Sequence, residues 1–492
     1  MMLSTLIGCS FALAQQSTYA RFRLDPEGEL LDTLVVDADH NGQSEFWMST
    51  LDENGVRHLN AFEQQGDDGF PARATMKQAV SRAVVAWSVG NFLPEEGAEL
   101  LFTTREAAYV QRLGGRPVKI LDAAMLLDLP AEDALPVLRD VADLDGDGLD
   151  EIVIPTRSGY ILLSGNGEVV GEIPWQPRDG RSPVAQQALF DGRATATLSS
   201  RALSDLFVPE ESPGIVTRPP LLFTSATLPR PVLKDLNGDG LIDFSFLIRN
   251  QIRVHLQQED GSFLRSVGQR FELPPSKSQD NEVMQWGSFG GGPEADLLLV
   301  RSGGGIGVSY DWQIRVWFDV TNKEELGQPE HFSKVEGSWV RPSIEDLDGD
   351  GRPELGVSVW ELSLGLTLRD PQVSHSVYVF RPLDDQPGWS SRAALSSERD
   401  YGVDDLESFA VVPSFAGDLT GNGKSDSLQS SGEGELEIRP IVLGERPRIG
   451  EPSMRVPVDA LAALVLVRDL NQDGVGDLLV AQFGHWEVYL SR

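Results

Sequence analysis

Carboxylates recur in this chain at a spacing suited to one kind of chemistry, the capture of a hard cation. In Asp143-Leu-Asp-Gly-Asp-Gly-Leu-Asp-Glu151, acidic side chains stand at positions 1, 3, 5 and 9: Asp143, Asp145, Asp147 and Glu151. Gly148 at position 6 permits a sharp turn, and the backbone carbonyl of Leu149 at position 7 can complete a ring of oxygens. Several oxygens converging at short range are what calcium requires. Without a cation, so many carboxylates in one tight loop repel each other.

The frame occurs five more times. The first copy offers Asp37, Asp39, Asn41, the Gln43 carbonyl and Glu45. A second offers Asp235, Asn237, Asp239, the Leu241 carbonyl and Asp243, and a third Asp346, Asp348, Asp350, the Arg352 carbonyl and Glu354. The last two offer Asp418, Thr420, Asn422, the Lys424 carbonyl and Asp426, then Asp469, Asn471, Asp473, the Val475 carbonyl and Asp477. Every copy has Gly at 6 and a carboxylate at 9, so the expectation is about six structural Ca2+ sites. Ligand charge ranks them: the Asp143 and Asp346 loops, with four carboxylates, fill first and the Asp418 loop, with two, fills last.

An EF-hand shares positions 1, 3, 5 and 6 but needs a bidentate Glu at 12 and a helix on each side. Position 12 here is Met48, Ile154, Phe246, Val357, Gln429 or Val480. After position 9 comes a short β-branched or aromatic run, such as Ile152-Val-Ile or Phe244-Ser-Phe-Leu-Ile, which reads as a strand. The loop therefore opens into a sheet.

Two degenerate copies keep the frame without the ligands, one around Asn91 and one around Ser288. First positions then fall at 37, 91, 143, 235, 288, 346, 418 and 469, most of them 51 to 58 residues apart, as a repeated supersecondary unit requires. Each unit reads as a strand into the loop (Val137-Leu-Arg-Asp-Val-Ala), a strand out, an alternating third strand (Gln251-Ile-Arg-Val-His-Leu) and a fourth after a Gly turn (Gln258-Glu-Asp-Gly-Ser-Phe). Four antiparallel strands repeated radially make an all-β single β-propeller, with eight blades expected and seven the alternative count. The last unit is short of strands, while Thr18-Tyr-Ala-Arg-Phe-Arg-Leu stands spare at the start. The N-terminal strand is expected to close the ring and leave no open edge. Two stretches are read as insertions: 176–230, where Ala188-Leu-Phe-Asp-Gly-Arg-Ala is either surface insertion or a decayed loop, and 381–410, read as a long loop on one rim with Trp389 exposed.

The net charge of −34 excludes nucleic acid as a general partner, since phosphate binding needs a basic surface. Residues 1–14 are uncharged and mostly apolar, too short to span a bilayer. They read as a leader: Ala12-Leu-Ala14 suits cleavage before Gln15, and Leu6-Ile-Gly-Cys9 suits lipidation at Cys9. Export to an extracellular, periplasmic or outer-surface location follows from either. With no other cysteine, the mature chain has neither disulfides nor thiol catalysis.

The repeated Asp-x-Asp-Gly-Asp-Gly-x-x-Asp/Glu loop followed by an apolar strand resembles the FG-GAP/VCBS repeat family over residues 18–492. That resemblance implies a β-propeller with calcium between the first and second strands of a blade, like the head of integrin α-subunits. It also implies a mostly extracellular role in adhesion or binding, or as a module attached to enzymes.

Other chemistry is sparse. The six histidines (His40, His58, His255, His331, His375 and His485) show no metal-ligand spacing, and His255 and His485 fall in or beside strands. No Gly-x-Ser-x-Gly occurs, and the Gly-rich run at 303–307 precedes a strand, as a hairpin does, rather than a helix. Trp47, Trp87, Trp317 and Trp360 read as core. No catalytic residues are assigned. The reading is a non-catalytic binding or adhesion scaffold that recognises protein or glycan across one propeller face. The alternative is a polysaccharide-degrading propeller enzyme, lyase or hydrolase, whose site is assembled from several blades.

Overall fold

The computed structural model describes residues 19–492 except 67–68, 124, 126–133, 157–158, 175–230, 249, 264–266, 276–281, 291, 293, 307–308, 365–370, 402–411, 432–433, 459–463 and 483. The leader with Cys9 and the 176–230 stretch lie outside the described residues. Among the described residues, no helix is long and apolar enough to cross a membrane.

The chain starts with β1 (Tyr19–Leu24) and then lays down one blade after another. Blade one holds β2 (Glu29–Val36), β3 (Glu45–Leu51), β4 (Arg57–Phe62) and β5 (Met76–Val80). Blade two holds β6 (Ala86–Gly90), β7 (Glu99–Thr103), β8 (Ala107–Arg112) and β9 (Val118–Asp122). Blade three holds β10 (Val141–Ala142), β11 (Glu151–Thr156), β12 (Gly159–Leu163) and β13 (Val169–Pro174). Blade four holds β14 (Val232–Lys234), β15 (Asp243–Ile248), β16 (Gln251–His255) and β17 (Gln269–Glu272). Blade five holds β18 (Glu282–Gly287), β19 (Asp296–Ile306), β20 (Ser309–Trp317) and β21 (His331–Gly337). Blade six holds β22 (Trp339–Glu345), β23 (Glu354–Leu364), β24 (Pro371–Phe380) and β25 (Leu395–Tyr401). Blade seven holds β26 (Asp426–Ser430), β27 (Glu435–Val442), β28 (Arg448–Ile449) and β29 (Met454–Pro457). Blade eight holds β30 (Leu464–Arg468), β31 (Asp477–Gln482) and β32 (His485–Ser491).

Each blade is an antiparallel sheet, and the eighth is completed by β1. β1 pairs with β32 from Tyr19 opposite Ser491 to Leu24 opposite Trp486. The ring is thus an eight-bladed propeller closed by its N-terminal strand, as the repeat count and the spare strand implied. Closure removes an edge that would otherwise recruit other chains.

Alternating apolar residues of each sheet face both neighbours, so burial is organised between blades. Eight apolar clusters fill the eight blade interfaces. Trp47 and Trp87 meet between blades one and two, Leu144 and Phe246 between three and four, and Phe46 and Trp486 between eight and one. Trp47, Trp87, Trp317 and Trp360 are all buried, as are His255 and His485.

Three expectations are corrected. Trp389 is only 4% exposed: it packs against Phe318 and His331, and its indole N–H donates to the Pro353 carbonyl at 2.8 Å. The loop bearing it folds back through a Pro382–Trp389 bridge, which sinks the ring between blades five and six. Not all of 381–410 is loop, because Leu395–Tyr401 is the outer strand of blade six. Finally, Val137-Leu138 does not belong to blade three's sheet, which the chain joins only from Asp140, whose carbonyl accepts the Val153 N–H at 3.0 Å. Val137 bridges Trp87 of β6 in parallel, and the Leu138 N–H donates to the Trp87 carbonyl, so the segment lines the inner edge of blade two.

Candidate metal loops

Seven of the eight nine-residue frames lie between the first strand of a blade and the second, and in blade seven the frame leads directly into β26, the first strand of its sheet. All eight share one device. The position 9 carboxylate accepts the backbone N–H of position 2, at 2.5 to 3.0 Å, in every blade: Glu45 from Ala38, Glu99 from Phe92, Glu151 from Leu144, Asp243 from Leu236, Asp296 from Phe289, Glu354 from Leu347, Asp426 from Leu419 and Asp477 from Leu470. The position 2 side chain thereby becomes a buried plug in the interface with the following blade, as Leu144 does between three and four and Leu347 between six and seven. An N–H buried beside an apolar plug needs an acceptor, and the carboxylate supplies it.

Six loops add a second layer. The position 1 aspartate accepts the N–H of the position 6 glycine at 2.6 to 3.0 Å. The position 5 side chain accepts the N–H of position 7 at 2.8 to 2.9 Å. Both patterns need left-handed backbone at positions 4 and 6. Glycine supplies it at most of these positions, while His40 and Gln472 adopt φ 56° at position 4 of the first and last loops. Neighbouring loops are stitched together: the position 8 N–H groups of Ser44, Asp150, Ser425 and Gly476 donate to the carbonyls of Leu470, Asn91, Leu347 and Asp418 in the preceding blades. The loops therefore run along one rim of the ring.

The six loops that keep the carboxylate pattern divide by the residues at positions 3 and 9, Asp with Glu in three and Asn or Thr with Asp in the other three. Where position 9 is Glu, three carboxylates offer oxygens within 4.8 Å of one another: Asp37, Asp39 and Glu45; Asp143, Asp145 and Glu151; Asp346, Asp348 and Glu354. In each of these, one Glu oxygen holds the plug's N–H, and Asp at position 3 supplies the carboxylate that Asn237, Thr420 and Asn471 do not. In two of the three loops with Asp at position 9, the second oxygen turns toward the end of the third strand. It accepts the Gln257 N–H in blade four and the Ser491 N–H in blade eight, both near 2.8 Å.

Burial pushes the position 9 carboxyls above their ordinary range, to about 7 for Glu45, Glu151 and Glu354 and about 6 for Asp243, Asp426 and Asp477. The N–H bonds they accept pull partly the other way, and the neighbouring loop carboxylates add to the rise. The donor set fits a hard divalent cation: it is all oxygen, crowded with negative charge, and in blade six the Asp348 Oδ1 is buried without a hydrogen-bond partner. In blade seven the Asp426 Oδ1 is left the same way.

The frames at 91 and 288 gather no such set among the described residues. Glu99 takes the N–H groups of both Phe92 and Leu93, and Asp296 those of Phe289, Gly290 and Asp319.

Sequence reasoning missed a polar cluster between blades six and seven. His375 Nε2 lies 2.8 Å from Ser358 Oγ and 3.0 Å from Ser414 Oγ, and its ring stacks on Trp360 at 3.7 Å. Burial holds this imidazole down at about 4. All three polar residues are buried, so the cluster seals an interface and offers no route to a substrate. Its members come from β23, β24 and the segment ahead of the blade seven loop, and leave no local signature.

No protein-family model matches the chain, and no curated protein matches it. Solved structures similar to it include the WD40 domain of SCAP from fission yeast, at 8% identity and TM-score 0.40 over 96% of this chain and 94% of that one. The WD40 domain of Toxoplasma gondii coronin aligns at 9% identity and TM-score 0.34 over 97% and 87%. The V. cholerae biofilm matrix protein Bap1 aligns at 12% identity and TM-score 0.28 over 98% and 89%. At these values the similarities assign no function.

Proposed function

We propose that this protein is a calcium-stabilised eight-bladed propeller of the FG-GAP/VCBS kind, acting as a non-catalytic scaffold that binds protein or glycan on one face. The observation that carries the reading is the convergence of positions 1, 3 and 9 in the loops at Asp37, Asp143 and Asp346. Bound calcium would be held there by carboxylates and would neutralise charge packed on turns that fix the blade interfaces. The other three loops keep the same backbone frame and carry Asn or Thr in place of the carboxylate at position 3, which suits weaker sites. Export, with the mature chain beginning at Gln15 or at a lipidated Cys9, supplies the calcium-rich surroundings that sites of modest affinity need. Mass spectrometry of the exported protein distinguishes the two starts, and an intact Met1 on cytoplasmic material rejects both.

The deciding experiment is a glycan and protein binding screen with calcium and with chelator, run beside a polysaccharide turnover panel. Calcium-dependent binding without turnover is the expected result. Robust lyase or hydrolase activity would replace the scaffold reading with the enzymatic one.

A further inference from the structure

Toward the hub of the ring, a pocket borders two of the acidic loops, through Asp418 and Asp469, and also holds two arginines. It has a volume of about 520 Å³ and lies against the inner strands of blades six, seven and eight. Blade seven creates the space: its sheet counts four strands without 412–417, and only Ala416 and Gly417 hydrogen-bond to Asp426 of β26. One wall is apolar, made by Pro413, Leu466 and the edge of the largely buried Phe415, and two guanidiniums flank it, Arg341 from β22 and Arg468 from β30.

These arginines are unusual in a chain with a net charge of −34. Among the described residues, Arg341 makes no hydrogen bond or ion pair, and Arg468 donates only to the Val35 carbonyl, at 3.0 Å. Arg468 is solvent-exposed, and desolvation, with the nearby Arg139 charge, holds its guanidinium below the ordinary value. Arg139 itself crosses the inner edge of blade two to reach Asp32 and the Thr33 carbonyl. The acids around the pocket are already engaged. Glu345 accepts from Ser343 and Ser425, while Asp418 and Asp469 accept the N–H groups of their own loops.

We infer that this pocket binds a small ring-bodied carboxylate of monosaccharide size, of which a hexuronate is the type, with Arg341 and Arg468 taking the carboxylate and the Pro413–Phe415 wall taking the ring. The volume lies in the range of ordinary ligand sites, and guanidinium matches carboxylate in two parallel hydrogen bonds. A single negative charge suits the site better than a dianionic phosphate, because Glu345, Asp418 and Asp469 stand nearby. The inference gives a ligand class to the binding role proposed above and rests on it in that respect alone, since neither guanidinium belongs to a metal loop.

The test is calorimetric titration of the full chain, in calcium and low salt, with glucuronate, glucose and acetate. Glucuronate should bind, with glucose and acetate at least tenfold weaker. Arg341→Gln, which removes no contact from the free protein, should weaken glucuronate about tenfold while leaving the melting curve in place. Arg468→Gln should do the same to binding, with its melting curve recorded because it also loses the Val35 contact. Glucose or acetate binding as well as glucuronate, no heat with glucuronate, or unchanged affinity in Arg341→Gln would each overturn the inference. A failure here leaves any calcium-dependent melting shift untouched, so the two readings stand or fall separately.

Discussion

Blades two and three carry the same nine-residue frame side by side and use it differently. In blade three, Glu151 holds the Leu144 N–H and still converges with Asp143 and Asp145. In blade two, Glu99 spends its bound oxygen on two N–H groups, of Phe92 and Leu93. Asn91, where the first ligand would stand, turns outward instead: its amide donates to the Gly148 carbonyl at 2.7 Å, and its backbone N–H donates to Asp150 at 2.8 Å. The blade without ligands thus clamps the loop of the blade that has them. The plug and its carboxylate latch are the constant part of the frame, because an apolar side chain between blades and a satisfied N–H are needed at every interface. The converging ligands are an addition that a blade can lose if protein hydrogen bonds replace them.

The largest test of that division is removal of the metal. A site held at a hundredfold excess over its Kd contributes about 2.7 kcal/mol, so emptying several should lower the melting temperature strongly. Calcium should restore it better than magnesium, which resists flexible carboxylate cages. A thermal scan unchanged in excess chelator would mean the loops do not depend on calcium.

Phe92→Ala removes a plug from a blade with no ligand set and should cost about 3–5 kcal/mol by denaturant titration. The loss should be equal with calcium and with chelator. If calcium rescued it, plug and metal would not be separable as argued.

Next come the loops compared with each other. Asp348→Ala strikes a convergent set and should remove most of that site's contribution, about 1–3 kcal/mol, and only when calcium is present. Asn422→Ala, in the two-carboxylate loop of blade seven, should cost under about 1 kcal/mol. By the geometry, the Asp37 loop joins the Asp143 and Asp346 loops in filling first, and calcium titration of single-loop variants checks this order.

The smallest effect is with pH. The position 9 carboxyls have folded pKa values raised above the unfolded ones, so the folded state binds protons more tightly. In chelator, their contribution to stability is fully present below about pH 4 and is lost as pH rises through about 6 to 7. The metal-free protein should therefore melt a few degrees higher at pH 5 than at pH 7.5. In calcium the trend should reverse, as protons displace the ion. A metal-free melting temperature that rose with pH would refute the burial of these groups.

Much of this molecule is legible in the chain itself. Eight frames in register gave eight blades, and the spare apolar strand at the start gave the closure, because a period-two pattern repeated about every fifty residues has few other ways to bury both sheet faces. The candidate ligands were equally open to reading, since a tight Gly-rich turn makes neighbours in sequence neighbours in space. What lay beyond the sequence depended on which segments meet across the ring. Trp389 could be placed only once its loop was seen folded between two blades. The second partners of Asp243 and Asp477 depended on where the third strand ended and put its N–H groups. Arg341 and Arg468 stand more than a hundred residues apart, and only closure of the ring, which brings the first strands of every blade to one hub, makes them walls of the same pocket.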